Sequence, residues 1–133
     1  MDDVLRDFLT ESGEHLQHLD EELLALEKCP DDATLLPSIF RRVHTIKGTC
    51  GFLGLERLER VAHATETLLG LLRDGKLGVT QEIVTDLLHA LDVFREIITT
   101  LEQTEQEPEG DDGALITQLE GWMRGAAARE SGA

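Results

Sequence analysis

This sequence predicts an all-α fold, an antiparallel four-helix bundle with a short fifth C-terminal helix, on three observations. Apolar residues, leucine above all, recur at helical spacing through most of the chain. Proline occurs only three times in 133 residues, tyrosine is absent, and no stretch alternates β-branched with polar residues as a half-buried strand would. The connections between periodic stretches are short, which sets successive helices side by side and antiparallel.

Val4, Leu5, Phe8, Leu9, Leu16, Leu19, Leu23 and Leu26 define a first amphipathic helix from about Asp3 to Lys28, ended by Cys29-Pro30-Asp31-Asp32. The start of the second is open: Asp31 or Asp32 can cap it, whereas Pro37 prefers the first helical position and would leave 31–36 as a separate turn. From Pro37 it runs to Leu53 on a stripe of Leu36, Ile39, Val43, Ile46, Cys50 and Leu53, and Gly54 suits the left-handed residue that commonly ends a helix. Leu55, Leu58, Ala62, Thr65, Leu69 and Leu72 form the inward seam of a third helix, which ends near Asp74-Gly75. Thr80 caps a fourth, Val79 can staple onto Val84, and Ile83, Leu87, Leu88, Leu91, Phe94, Ile98 and Leu101 supply a broad buried face. The bundle thus spans 1–104, and 105–112 reads as an acidic linker. Asp111 or Asp112 caps an accessory helix over 113–124 carrying Leu115, Ile116, Leu119, Trp122 and Met123. Residues 125–133 are expected to be a disordered tail.

Charge narrows the function classes. Asp plus Glu number 27 against 12 Lys plus Arg, a formal net charge of −15, which repels nucleic acid and anionic membrane surfaces, so neither is an expected partner. No charged-then-apolar leader opens the chain and no apolar run is long enough to span a bilayer. Cys50 lies on an apolar stripe and Cys29 precedes a turn, unlike a disulfide framework. The expectation is a cytoplasmic, monomeric domain with reduced thiols. His15 and His18 sit three apart, a spacing that can hold a metal, but no Cys or second His pair completes a site, and no metal or other cofactor is expected in this chain. His89 reads as a solvated bystander.

One histidine stands apart. At about 100° per residue, His44 points roughly 130° away from the centre of the second helix's apolar stripe, toward water or a partner. Gly48 lies about one turn above it and Gly51 about two turns above, at nearly the same angle. A mid-helix glycine is about 1 kcal/mol worse than alanine, so two on the imidazole's own face suggest close approach to that backbone. The reversal at Gly54 adds a position. His44 is ten residues before it and Ala64 ten after, so His63 and Glu66 bracket the height of His44 across the hairpin. Glu66 falls on the flank of the third helix's seam and His63 points further outward. A carboxylate bonded to one ring nitrogen fixes the tautomer and leaves the other as nucleophile. Lys47, about one turn above His44, can neutralise an anion placed there. These parts suit acceptance of a phosphoryl group; a surface Glu-His-Lys cluster with no such role meets the geometry equally well.

The stretch His44-Thr45-Ile46-Lys47-Gly48-Thr49-Cys50-Gly51-Phe52-Leu53-Gly54, followed by His63-Ala64-Thr65-Glu66 and the loop at Leu72-Arg73-Asp74-Gly75, resembles the histidine phosphotransfer domain of CheA-type chemotaxis histidine kinases. The resemblance implies that His44 carries the phosphoryl group on Nε2, that Lys47, His63 and Glu66 form its supporting network, and that Gly48 leaves room for the group. Gly51 and Arg41 belong to the expected docking face. It further implies two transfers: a kinase domain, in the same chain or another, moves the ATP γ-phosphoryl group onto His44, and a response-regulator receiver takes it onto an aspartate. ATP and Mg²⁺ are expected on the kinase domain and Mg²⁺ on the receiver, since this chain has neither a Gly-rich phosphate loop nor a nucleotide pocket. The enzyme would be the full-length kinase, of which the acidic linker and tail suggest a fragment. Arg41, Arg42, Arg57 and Arg60 can steer an acidic receiver, and any one of them fits an ordinary solvated helix charge equally well. A free-standing phosphorelay protein and a non-phosphorylated helical adaptor are the alternatives.

Overall fold

The computed structural model describes residues 2–132, with side chains described through residue 126. Five helices follow one another: α1 (Asp3–Lys28), α2 (Leu35–Leu53), α3 (Glu56–Arg73), α4 (Gln81–Thr104) and α5 (Gly113–Gly132). α1 packs on α2 and α4, α3 packs on α2 and α4, and α5 lies outside this ring against α3 and α4. The ring closes over the stripes that the heptad-like spacing marks out: Phe8, Leu19 and Leu26 of α1, Ile39, Val43 and Ile46 of α2, Leu58, Leu68 and Leu69 of α3, and Leu87, Leu91 and Phe94 of α4 are all buried. Val4, at the first turn of α1, remains 46% exposed.

Helix ends follow local chemistry with two exceptions. Asp2 caps α1 by accepting from Val4 N, and Thr80 caps α4 by accepting from Ile83 N. Gly54 adopts φ 73° and ends α2, the left-handed conformation that glycine enters without a Cβ clash. The first exception is the start of α2, at Leu35, between the two starts that the sequence leaves open, a cap at Asp31 or Asp32 and a first turn at Pro37. Pro37 then occupies the third helical position, where the absent N–H is one of the four that have no partner within the helix anyway. Asp32 accepts from the Thr34 N–H and hydroxyl, which uses its carboxylate in the turn rather than as a cap of α2.

The second exception is α3. Its N-cap residue is Leu55, which has no side-chain oxygen, and the missing acceptor comes from far along the chain: the Glu107 carboxylate accepts from Arg57 N at 3.0 Å and Leu58 N at 2.9 Å. The segment 105–112, expected as a linker, is therefore strapped to α3. Arg57 completes the strap, donating to both carboxylate oxygens of Asp112 and to the Pro108 carbonyl. A Cβ on Gly110 would fall 2.5 Å from the guanidinium carbon, so any larger residue there must displace the head of the buried arginine. α5 is further pinned by Trp122, whose indole N–H donates to the buried Asp86 of α4 at 2.7 Å. α5 extends past the expected end at residue 124; the expected tail 125–133 lies, from residue 127 on, outside the residues whose side chains are described.

Candidate functional site

α2 buries Val43 and Ile46 and so presents His44 outward, its side chain 63% exposed. α3 runs back along α2 after the Gly54 turn, and the residues that meet across the pair form two facing stripes. Phe40, His44 and Lys47 stand at i, i+4 and i+7 on α2; Glu66, Gly70 and Arg73 stand at the same intervals on α3. His44 Nδ1 lies 3.0 Å from Glu66 Oε2, and Lys47 Nζ lies 3.5 Å from Glu66 Oε1. A carboxylate only accepts, so the pairing assigns the hydrogen to Nδ1 and leaves the lone pair on Nε2. Among the described residues no group bonds Nε2.

The residues singled out from sequence do not all converge. His63 is exposed and makes no side-chain hydrogen bond to His44 among the described residues; it lines an open groove of about 740 Å³ between α3 and α5, with Glu59, Ala64, Ile116 and Met123. Its place on α3, three residues before Glu66, turns it about 60° away from α2. A Cβ at Gly48 would meet nothing within 4 Å, so the space above His44 is open, whereas one at Gly51 would touch the Glu59 carboxylate at 3.5 Å. Arg41 is exposed on the His44 side of α2.

Two of the four arginines expected to steer a partner are used inside the fold. Arg57, 8% exposed, is paired with Asp112, which raises its pKa against the opposing effect of burial. Arg42 turns toward α1, where it bonds Glu22 at 2.7 Å and the Nδ1 of His15 at 3.2 Å. The reason is position: both fall toward seams between helices, where a long basic side chain finds carboxylates before it finds water. Arg60 remains exposed. His18 lies 4.0 Å from Glu21 rather than joining His15, and no cluster of three or more His, Cys, Asp or Glu suited to a metal occurs among the described residues. Cys29 and Cys50 are free, and burial followed by the nearby Glu107 pushes the Cys50 thiol up to about 12.

Sequence reasoning passed over Phe40 and Arg73. The Phe40 ring is stacked on His44, with centroids 6.0 Å apart and planes 9° from parallel, and the Arg73 guanidinium lies 4.1 Å from the Phe40 centroid. The i, i+4 spacing of Phe40 and His44 was the available signal.

Residues 3–107 match the family model of the Hpt domain. The chain is 36% identical over 104 residues to the sensor histidine kinase CheAY of Helicobacter pylori, covering 78% of this chain and 13% of that protein. It is 38% identical over 101 residues to the chemotaxis protein CheA of Bacillus subtilis, covering 76% and 15%. It thus spans under a sixth of the length of these relatives. Its fold superposes with TM-score 0.83 on the phosphorylated P1 domain of CheA3 of R. sphaeroides, solved in complex with CheY6, at 34% identity and 91% and 95% coverage of the two chains. No described helix is long and apolar enough to cross a membrane.

Proposed function

This chain belongs to the Hpt domain family, and on that premise we propose that it is the phosphoryl-carrying domain of a chemotaxis-type kinase, with His44 as the acceptor. The observation that carries the reading is the exposed His44 imidazole held by Glu66 through Nδ1 at 3.0 Å with Nε2 left open. In the first transfer the Nε2 lone pair attacks the γ-phosphorus of ATP held by a kinase domain; the N–P bond forms, and the P–O bond breaks with its electron pair leaving on ADP. Glu66 keeps the hydrogen on Nδ1 and offsets the positive charge the ring gains, while Lys47 faces the incoming oxygens. In the second transfer an aspartate oxygen of a receiver domain attacks phosphorus and the N–P electrons return to Nε2. The P1 domain of CheA3 is phosphorylated and bound to CheY6, which supports a CheY-like receiver as the partner here. ATP and Mg²⁺ belong to the kinase domain and Mg²⁺ to the receiver. The domain works in the cytoplasm, as a monomer.

The test is incubation with a CheA-type kinase domain and MgATP, then with an unphosphorylated receiver. Acid-labile label should appear on the chain, map to His44, and move to the receiver. Label arriving only from a phosphorylated receiver would instead favour a free-standing relay protein, and label from neither source would leave a helical adaptor.

A further inference from the structure

Glu66 holds the His44 ring at one atom, and one hydrogen bond does not fix an exposed ring: the χ2 torsion that turns the imidazole is broad, so the ring can swing Nδ1 off the carboxylate and lose its single tautomer. A second contact is with Phe40, nearly parallel to the imidazole at 9°. Phe40 is itself braced on α3. Arg73 lies over its ring at 4.1 Å, and Gly70 lies beside it, where even a Cβ would make ordinary van der Waals contact with Phe40 Cε2 at 3.6 Å. The two facing stripes thus meet rung by rung, Lys47 and His44 on Glu66, Phe40 on Gly70 and Arg73.

We infer that Phe40, held in place by Arg73, is a positioning residue for phosphoryl transfer: it is a shelf that fixes the plane of the His44 imidazole so that Nε2 is presented outward while Nδ1 stays on Glu66. The inference rests on the reading of His44 as the acceptor. A shelf and a hydrogen bond together define a plane and a direction, which is what in-line attack on phosphorus requires; misplacement of a nucleophile by about 1 Å costs on the order of a hundredfold in rate. A shelf acts through the imidazole and needs no contact with ATP or the phosphoryl group. Its effect therefore belongs in the turnover rate and not in the affinity for the kinase domain.

The test uses Phe40→Leu, Phe40→Tyr and Arg73→Gln in the whole chain, with two readouts. The first is the imidazole ¹⁵N spectrum of the unphosphorylated protein. The wild type should show one dominant tautomer, hydrogen on Nδ1; Phe40→Leu should show averaged or exchange-broadened ring nitrogens, and Phe40→Tyr should restore the wild-type pattern. The second is phosphorylation by a kinase domain in trans. Phe40→Leu should lower kcat about tenfold or more with KM for the domain unchanged, Arg73→Gln should lower it in the same sense but less, and Phe40→Tyr should recover it. Folded Phe40→Leu with the wild-type tautomer and rate overturns the inference, as does a Phe40→Tyr that fails to rescue. Should Phe40→Leu unfold, Arg73→Gln decides alone, because Arg73 is exposed. A wild type that takes no label defeats the acceptor reading instead, and the ¹⁵N series still reports whether Phe40 orders the ring.

Discussion

α3 meets its neighbours through two charge clusters made of the same kinds of groups, and they are finished in opposite ways. Near its N-terminus Arg57 is 8% exposed and Asp112 9%, their bidentate pair is supplemented by the Pro108 carbonyl and by Glu96 at 3.6 Å, and Gly110 is packed against the guanidinium. Near its middle Glu66 is 16% exposed, but His44 is 63% exposed and ends in a ring nitrogen with open space above it. The first arrangement gives each guanidinium nitrogen a partner and so contributes stability and placement of the 105–112 segment. The second withholds one partner. A bonding capacity left open at the surface contributes little to folding and is available for chemistry.

The largest effects should separate the two completely. His44→Gln is expected to abolish acid-labile phosphorylation while the melting temperature stays within about 2 °C of wild type, since an exposed surface change is worth about 0.5 kcal/mol or less. Label on the variant would move the acceptor elsewhere, His63 first. Arg57→Leu is the mirror image. It strands Asp112 beside Glu107 in a largely dry junction, a loss of about 3 kcal/mol and about 10 °C in melting temperature, with the phosphorylation rate per folded molecule unchanged. Gly110→Ala should move stability in the same direction by forcing the guanidinium aside. A slowed rate in either folded variant would mean that the two clusters are coupled along α3.

How much of each cluster could be read beforehand follows from how local its causes are. The stripes of α1 to α4 obey a 3.6-residue period that any window of the chain displays, and the Gly54 reversal makes equal distances along α2 and α3 equal heights, so Glu66 could be set opposite His44 by counting. Arg57 could not be placed that way. Its partners lie about 50 residues on, in a segment whose Pro, Gly and acids read as linker, and the only advance sign was that α3 begins at Leu55 without a capping side chain. The same blindness to distant partners made Arg42 and Arg57 look like steering charges. His63 shares the height of His44 by the same counting, and its helical angle turns it outward, as the structure places it.

The open cluster can be dissected further. Glu66→Ala should slow phosphorylation about tenfold or more without abolishing it, because the ring loses the group that fixes its tautomer and balances its charge; Lys47→Ala should do less. Equal rates in both variants and wild type would reduce the cluster to a surface ion pair. Gly48→Leu projects into the open space above Nε2 and should slow both gain and loss of the phosphoryl group, whereas Gly51→Leu, two turns away and beside Glu59, should weaken receiver binding with less effect on phosphorylation. Melting temperatures measured alongside distinguish blocked access from disturbed packing.

The smallest effect lies between the two extremes, at Arg42, where a half-buried guanidinium serves Glu22 on one side and His15 on the other. A guanidinium only donates, so His15 Nδ1 must accept, and the ring is held neutral. Desolvation first and the Arg42 charge second lower its pKa below the ordinary 6.5, against a smaller opposing pull from Glu11 and Glu14. In the unfolded chain His15 titrates near 6.5. Above that pH both states leave it neutral and the contribution to stability is complete. As pH falls below it, the unfolded chain takes up the proton while the folded one resists, so stability is lost until the folded pKa is also passed. Urea midpoints of wild type and His15→Gln, compared from pH 7.5 down to pH 5, should therefore converge or cross as the wild type weakens faster, with the carboxylate titrations common to both cancelling in the difference. Parallel curves would mean that His15 protonates in the fold as readily as in water, and that the Arg42 cluster, like the one at His44, leaves its histidine open to solvent.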